Sequence, residues 1–127
     1  MILDSSAIVA IVLREPGFDE LLSVLRRQDV LAVGAPTLVE AGIVLEARLG
    51  TDAQPILDRL LRDLEVTVLS FGEEQWREAI DAFRRFGRRR HRAALNFGDC
   101  LSYASATTAG QPLAYVGDDF SATDVSR

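Results

Sequence analysis

The sequence predicts an α/β fold in which helices cover both faces of a parallel sheet. Short apolar runs of strand length alternate with longer segments whose apolar residues recur at helical spacing. Neighbouring parallel strands need long crossover connections, which are usually helices, so this alternation favours a parallel sheet. The chain has 127 residues, near the commonest domain size, and we expect residues 1–127 to form a single domain.

The first third of the chain begins with a short apolar run at residues 1–4, which is predicted to be a buried strand. The segment Asp4-Ser5-Ser6 supplies N-cap side chains, so a helix is predicted over residues 5–13. A Pro-Gly pair then breaks the helical pattern. A second helix is predicted over residues 17–28, because its leucines fall on one helical face.

The middle of the chain repeats the alternation of strand and helix. An apolar run at residues 30–34 is predicted to be the second buried strand. Pro36 suits the first turn of the next helix, and Gly50 suits its C-terminal cap. Another amphipathic helix is predicted over residues 51–64, and the β-branched run at 66–69 predicts the third strand.

The last third contains two more helices and the fourth strand. A helix around residues 76–86 is followed by a basic loop at 88–97. The next helix begins near Asn96 and is predicted to reach Gly110. The fourth strand is predicted at residues 112–116, and the tail is expected to add a short final strand near Val125.

Composition narrows the class of protein. The net charge is −5, and all 14 cationic side chains are arginines, seven of which lie between Arg77 and Arg92. An acidic chain can still bind nucleic acid through one such basic strip. The single cysteine, Cys100, excludes an internal disulfide and a cysteine-based zinc site, and it favours the reducing cytoplasm. No run approaches the ~20 apolar residues of a membrane helix, so no membrane contact is expected.

Acidic residues are predicted to meet at one edge of the sheet. Asp4 ends the first strand, and Asp118 and Asp119 follow the fourth. Glu40 lies one turn into the helix after the second strand, and Asp99 opens the helix that leads to the fourth. Because ligands bind beyond the carboxyl ends of parallel strands, these acids are candidates for one site.

A cluster of carboxylates at neutral pH needs a cation to offset its repulsion. Oxygen ligands without cysteine or paired histidine select magnesium or manganese, and such an ion suits phosphodiester hydrolysis. The simpler interpretation makes Asp4 and Asp99 helix caps and Asp118-Asp119 a surface turn. Glu40 is harder to explain structurally, because its helix is otherwise apolar at that point.

Four segments resemble, in order and spacing, the motifs of PIN-domain nucleases. The size fits the VapC-type toxins of bacterial type II toxin–antitoxin systems. The resemblance covers essentially the whole chain. The segments are Ile2–Ala7, Pro36–Ala41, Leu95–Cys100 and Gly117–Phe120 with Thr123-Asp124.

This resemblance implies a three-layer α/β/α fold around a parallel sheet, with cleavage of RNA that depends on Mg²⁺ or Mn²⁺. It also implies a homodimer and inhibition by a cognate antitoxin protein. Asp4 and Asp99 match the metal-binding aspartates, and Glu40 matches the acid that helps to position metal or water. Ser6 matches a small hydroxyl residue that supports the first aspartate.

The fourth acid of the resemblance lies at Asp118 or Asp119. Many family members carry Thr-x-Asp after this strand, whereas this chain has Val116-Gly117-Asp118-Asp119. We favour Asp118, because it lies nearer the end of the strand. Val116 lacks the hydroxyl that the family's threonine would contribute.

The basic segment just before the third motif is a candidate RNA-binding strip. Arg88, Arg89, Arg90 and Arg92 are predicted to contact RNA phosphates beside the nuclease cleft. The alternative is a solvated run of charge that serves solubility. His91, the only histidine, is expected to lie on the surface.

Other phosphate chemistries fit the sequence less well. A receiver domain needs a lysine beside its acidic pocket, and this chain has none. Aspartyl phosphatases carry Asp-x-Asp after the first strand, but residue 6 of this chain is serine. Walker-type nucleotide binding does not fit either, because no Gly-Lys-Ser/Thr motif is present. The alternative that remains is a catalytically inactive PIN-like module that binds protein, against which the complete set of acids argues.

Overall fold

A four-stranded parallel sheet organises the molecule. The structure is a computed structural model that describes residues 1–127. Its strands are β1 (Ile2–Leu3), β2 (Leu31–Gly34), β3 (Val66–Leu69) and β4 (Leu113–Ala114). They lie in the order β3-β2-β1-β4, and every pair is parallel. The parallel sheet predicted from the sequence is therefore confirmed.

Six helices connect and flank the strands, each close to its predicted place. They are α1 (Ser5–Val12), α2 (Phe18–Arg26), α3 (Ala35–Leu49), α4 (Gln54–Asp63), α5 (Glu73–Phe86) and α6 (Phe97–Ala109). Helix α4 begins about three residues later than predicted, because the carboxylate of Asp52 accepts the Gln54 N–H at 2.9 Å ahead of Pro55 in the first turn. None of the helices combines the length and apolar character needed to cross a membrane.

The sheet separates two hydrophobic clusters, which gives the expected α/β/α layers. Successive strand residues point to opposite faces of the sheet. Leu3 and Val33 pack against the layer formed by α1 to α4. Ile2 and Ala32 pack on the other face, with α5 and α6.

The predicted strand near Val125 is wrong. The chain after β4 forms successive turns, in which the carbonyl groups of Asp118 and Phe120 accept backbone N–H groups three residues on. The Val125 N–H is bonded to the Thr123 hydroxyl at 3.3 Å, and a single backbone bond, from Leu113 N–H to Ser126 O at 2.8 Å, joins the tail to β4.

The strand order places a topological switch point, the usual position of a ligand crevice, at the carboxyl end of β1. The chain proceeds from β1 to β2 and β3 on one side, then crosses to β4 on the other side of β1. Ligands of parallel α/β sheets bind where the order reverses in this way. Asp4 follows β1 and donates its backbone N–H to Ala114 O of β4 at 2.9 Å, so it lies at this point.

Candidate active site

Asp4 is buried and held on both carboxylate oxygens. It caps α1, with Oδ2 accepting the Ser6 backbone N–H at 3.0 Å and the Ser6 hydroxyl. Oδ1 accepts the hydroxyl of Ser102 from α6. The Ser6 oxygen also accepts the Val116 N–H at 3.0 Å, so the supporting residue expected from the sequence ties α1 to the end of β4.

Two buried hydroxyl residues beside Asp4 were missed by the sequence analysis. The Ser102 oxygen lies 3.2 Å from the Thr37 hydroxyl, and both side chains are buried. Their signal was helical spacing, since Thr37 lies three residues before Glu40 and Ser102 lies three residues after Asp99. A polar residue one turn from a candidate acid, in an otherwise apolar segment, identifies such a partner.

Glu40 lies against the first turn of α6. Its carboxylate is so close to Gly98 that a Cβ atom there would overlap Oε2. Gly98 directly precedes Asp99, so Glu40 and Asp99 face the same rim from two different helices. The apolar segment around Glu40 therefore presents this carboxylate to the crevice.

Asp99 is both part of a helix cap and a member of the acidic cluster. Asn96 caps α6 through its side chain, which accepts the Asp99 N–H at 2.9 Å, while the Asp99 carboxylate accepts the Asn96 N–H at 3.0 Å. Burial raises the pKa of Asp99 to about 6, against the lowering effect of the bond from Asn96, and the charges of Asp119, Asp4 and Glu40 raise it further. The cap and the site interpretation of Asp99 are compatible.

The structure favours Asp119 over Asp118 as the fourth acid. Both residues are exposed in the turn that follows Gly117, whose φ is +94°. Among the neighbouring charges that raise the pKa of Asp99, that of Asp119 has the largest effect. The next residue, Phe120, is buried against Tyr115, which anchors the turn that carries Asp119.

Asp124, which belongs to the fourth motif, anchors the tail instead of joining the acids. Its carboxylate accepts the Tyr103 hydroxyl and the Arg85 guanidinium, the latter at 2.8 Å. The Tyr103 bond and, more weakly, the Arg85 bond lower the pKa of Asp124. These two bonds anchor the chain on the C-terminal side of Asp119.

The donor set fits a hard divalent cation without forming a closed cage. No group of three or more His, Cys, Asp or Glu side chains is placed to hold a metal ion by itself. Magnesium keeps several waters and is commonly bound through one or two carboxylates with substrate phosphates, so an all-protein cage is not required. The carboxylates of Asp4 and Asp99 supply oxygen ligands of the kind this ion prefers.

Neither the single cysteine, Cys100, nor the single histidine, His91, acts as a reactive group of the site. Burial and the charge of Asp99 raise the pKa of the Cys100 thiol to about 11, so it is not a thiolate at neutral pH. His91 packs edge-on against Phe86, 5.2 Å between ring centres, and its Nδ1 accepts the Ala93 N–H. The carboxylates are therefore the candidate reactive groups of the crevice.

The basic loop is fixed at its base, and its arginine side chains are exposed. Its ends are joined by bonds between Arg88 N–H and Leu95 O at 3.0 Å and between Leu95 N–H and Phe86 O at 2.9 Å. Leu95 is buried just before the cap of α6, which holds the loop beside the first turn of that helix. The arginines of the loop are exposed and form no ion pair; they are Arg88, Arg89, Arg90 and Arg92.

Comparison with known proteins agrees with the fold. The family model for the PIN domain matches residues 1–126, and the chain belongs to the PIN domain family. Ribonuclease VapC36 of Mycobacterium tuberculosis is 44% identical over 126 residues, which cover 98% of this chain and 91% of that protein.

Two solved structures share the fold. The crystal structure of Mycobacterium tuberculosis VapC20, described as a sarcin-ricin loop cleaving toxin, has a TM-score of 0.78 at 19% identity and covers 98% of this chain and 95% of its own. A toxin–antitoxin complex from Klebsiella pneumoniae has a TM-score of 0.71 at 11% identity and covers 97% of this chain and 92% of its own.

Proposed function

We propose that this chain is a divalent-metal-dependent endoribonuclease that hydrolyses RNA phosphodiester bonds and acts as the toxin of a toxin–antitoxin pair. The observation that carries the proposal is the meeting of acids from four separate segments at the carboxyl end of β1. Asp4 contacts α6 one turn from Asp99, and Glu40 lies against the residue before Asp99. Membership of the PIN family and relatives named ribonucleases support it.

Each residue of the proposed site has a distinct task. Asp4 and Asp99 hold Mg²⁺ or Mn²⁺, and Asp119 adds negative charge beside the proposed metal site. Glu40 orients the attacking water from the rim that it shares with Asp99. A bound ion in such a site lowers the pKa of its water and stabilises the charge that develops on the phosphoryl group. We take residues 1–127 as one nuclease domain.

The experiment that tests this proposal is cleavage of a mixed set of synthetic RNA hairpins and single strands, followed by gel electrophoresis. We expect cleavage with Mg²⁺ or Mn²⁺, none with excess EDTA, and recovery when the metal is restored. Asp4→Asn should cleave none of the probes under any condition. Cleavage that is equal with and without EDTA, or that survives in the Asp4→Asn variant, contradicts the proposal.

We propose that the exposed arginines of the basic loop bind the phosphates of this RNA. The three arginines on α5 form ion pairs: Arg77 with Glu73, Arg84 with Asp81, and Arg85 with Asp81 and Asp124. The loop arginines form none. Replacing Arg88, Arg89 and Arg90 with glutamine should weaken RNA binding. It should also reduce the slope of log affinity against log salt by about 2, at roughly 0.7 per lost phosphate contact on single strands.

A triple variant with the same change in net charge separates a local effect from a general one. Arg26, Arg27 and Arg48 are exposed on α2 and α3 and near their ends, and they form no ion pair. Replacing these three with glutamine should leave the salt slope near the wild-type value. Equal slopes for the two triple variants, measured by fluorescence anisotropy, would refute the role of the loop.

We propose that the chain forms a homodimer through an apolar face of α3 and α5. The leucine faces of α2 and α4 are used in the core, where Leu25, Leu57 and Leu60 are buried. Large apolar side chains are exposed instead around a groove of about 730 Å³ between α3, α5 and the start of α6. They include Val39, Ile43, Trp76, Ile80 and Phe97, and Phe97 is 80% exposed. Apolar patches of this kind mark protein interfaces.

The oligomeric state tests the apolar face. Multi-angle light scattering should give the mass of two chains for the wild type and of one chain for Ile43→Arg with Ile80→Arg. The matched variant Val30→Arg, at another exposed apolar position, should remain a dimer. A wild-type mass of one chain would contradict the homodimer.

We further propose that a cognate antitoxin protein inhibits the enzyme. The support is the VapC-type resemblance together with the structural match to a toxin–antitoxin complex. The cytoplasm is the expected location, since the single cysteine is buried, unpaired and suited to a reducing compartment.

A further inference from the structure

We infer that Ser102, backed by Thr37, is a positioning residue that makes Asp4 a single-atom ligand, with Oδ1 as the atom that binds the metal. This inference rests on the proposed function, because it concerns how the proposed site holds its ion. Its basis is the set of hydrogen bonds around Asp4.

The bonds leave one free acceptor position on one oxygen of Asp4. A carboxylate has about two acceptor positions on each oxygen. Both positions of Oδ2 are filled, by the backbone N–H and the hydroxyl of Ser6. Oδ1 accepts from Ser102 alone, so its second position is free for a cation. Because Asp4 is 4% exposed, no alternative side-chain orientation is open to it without breaking these bonds.

The direction of the hydroxyl protons follows from the carboxylate. An ionised Asp4 only accepts, so Ser102 must donate its proton to Oδ1, and the Ser102 oxygen then accepts the Thr37 hydroxyl. Each bond polarises the next in such a buried chain. Thr37 therefore fixes the rotation of the Ser102 hydroxyl, and Ser102 fixes the direction of the free position on Oδ1.

The packing of α6 makes this arrangement possible. A Cβ at Gly34, the last residue of β2, would overlap the Ser105 hydroxyl, so α6 approaches the sheet as closely as a glycine allows. That approach brings Ser102 within bonding distance of Asp4, across 98 positions of sequence. Ser102 and Thr37 are themselves 0% and 1% exposed and have no other side-chain partner.

Calorimetric titration of the whole protein with Mn²⁺ in the absence of RNA tests the inference. Partners that orient metal ligands typically contribute 10–100-fold to metal affinity, so we expect Ser102→Ala to weaken Mn²⁺ binding by about that factor. Thr37→Val, which keeps the shape and removes the hydroxyl, should also weaken it, and Thr37→Ser should restore wild-type affinity. The rise in melting temperature on adding Mn²⁺ should fall in the same order.

The outcomes separate this inference from the proposed function. A wild type that binds no Mn²⁺ in the absence of RNA overturns this inference alone, because substrate phosphates can complete the metal site and the proposed function is decided by cleavage with and without EDTA. Binding that Asp4→Asn abolishes, but that Ser102→Ala leaves unchanged, overturns the positioning role alone. If Ser102→Ala does not fold, the pair at Thr37 decides, because equal affinities for Thr37→Val and Thr37→Ser overturn the inference.

Discussion

Replacing Asp99 with asparagine should make the protein more stable and, at the same time, inactive. The metal-free carboxylate is destabilised by burial and by neighbouring negative charge, which raise its pKa to about 6 from the ordinary 3.8. Asparagine removes this charge and keeps an oxygen that accepts the Asn96 N–H of the helix cap. RNA cleavage should fall at least about 100-fold, since a bound metal supplies several kcal/mol of transition-state stabilisation.

The gain in stability should depend on pH in a defined direction. Because the folded-state pKa of Asp99 lies above its unfolded value, its contribution to stability is fully present below pH 3.8 and is lost as the pH rises through about 6. At pH 7.5 without metal, Asp99→Asn should raise the free energy of unfolding by about 1–2 kcal/mol after allowance for partial exposure to solvent. Thermal melts should show the difference at pH 7.5 and its disappearance near pH 4.

A surface aspartate provides the matched control for this prediction. Asp63 forms an ion pair with Arg59 at 3.6 Å on α4, with its side chain 64% exposed. Asp63→Asn should change neither cleavage nor the melting temperature by much, because exposed pairs contribute little. A metal-free Asp99→Asn protein that melts below the wild type at pH 7.5 would show that Asp99 is not under electrostatic strain.

Gly98→Ala should inactivate the enzyme without destabilising it. The new Cβ would overlap the Glu40 carboxylate, which is the end of a flexible side chain and can move aside. Alanine also favours the helix by up to about 1 kcal/mol relative to glycine, so the melting temperature should be equal or higher. Cleavage should fall by about 100-fold, the usual effect of displacing a positioning group by an ångström or more.

Another glycine on the helix that carries Glu40 serves as control. A Cβ at Gly42 would lie 3.3 Å from a methyl group of Leu57 and away from the crevice, so Gly42→Ala should cleave RNA at the wild-type rate. Adding Glu40→Gln to Gly98→Ala should cause little further loss, because the first change has already removed Glu40 from its place. Wild-type cleavage by Gly98→Ala, or full additivity with Glu40→Gln, would show that Glu40 does not act from this position.

The sequence predicted the elements well because their signals are local. Pro36 at the start of α3 and Gly50 at its C-terminal cap are read from neighbouring residues, and both are confirmed. The prediction of a strand in the tail was wrong for a related reason. Apolar Val125 suggested a strand, but its N–H is bonded to the Thr123 hydroxyl and the residues before it form turns.

Some residues of the candidate site could likewise be predicted from the sequence, whereas others needed the structure. Asp4, Glu40 and Asp99 were candidates from motif and position alone, because strand ends and helix starts can be counted along the chain. The preference for Asp119 over Asp118 rests on the effect of the Asp119 charge on Asp99, which depends on how the turn after Gly117 folds. Sequence distance from the strand end carried no such information.

By itself, the sequence determined the alternation of strand and helix, the parallel sheet and the acids that come at the strand ends. The tertiary structure alone decided that β4 lies beside β1, that Ser102 and Thr37 hold Asp4, and that the exposed apolar face belongs to α3 and α5. The physical reason is that periodicity and capping act over a few residues. The crevice, by contrast, is made by contacts between segments up to about a hundred residues apart, whose partners are chosen by packing.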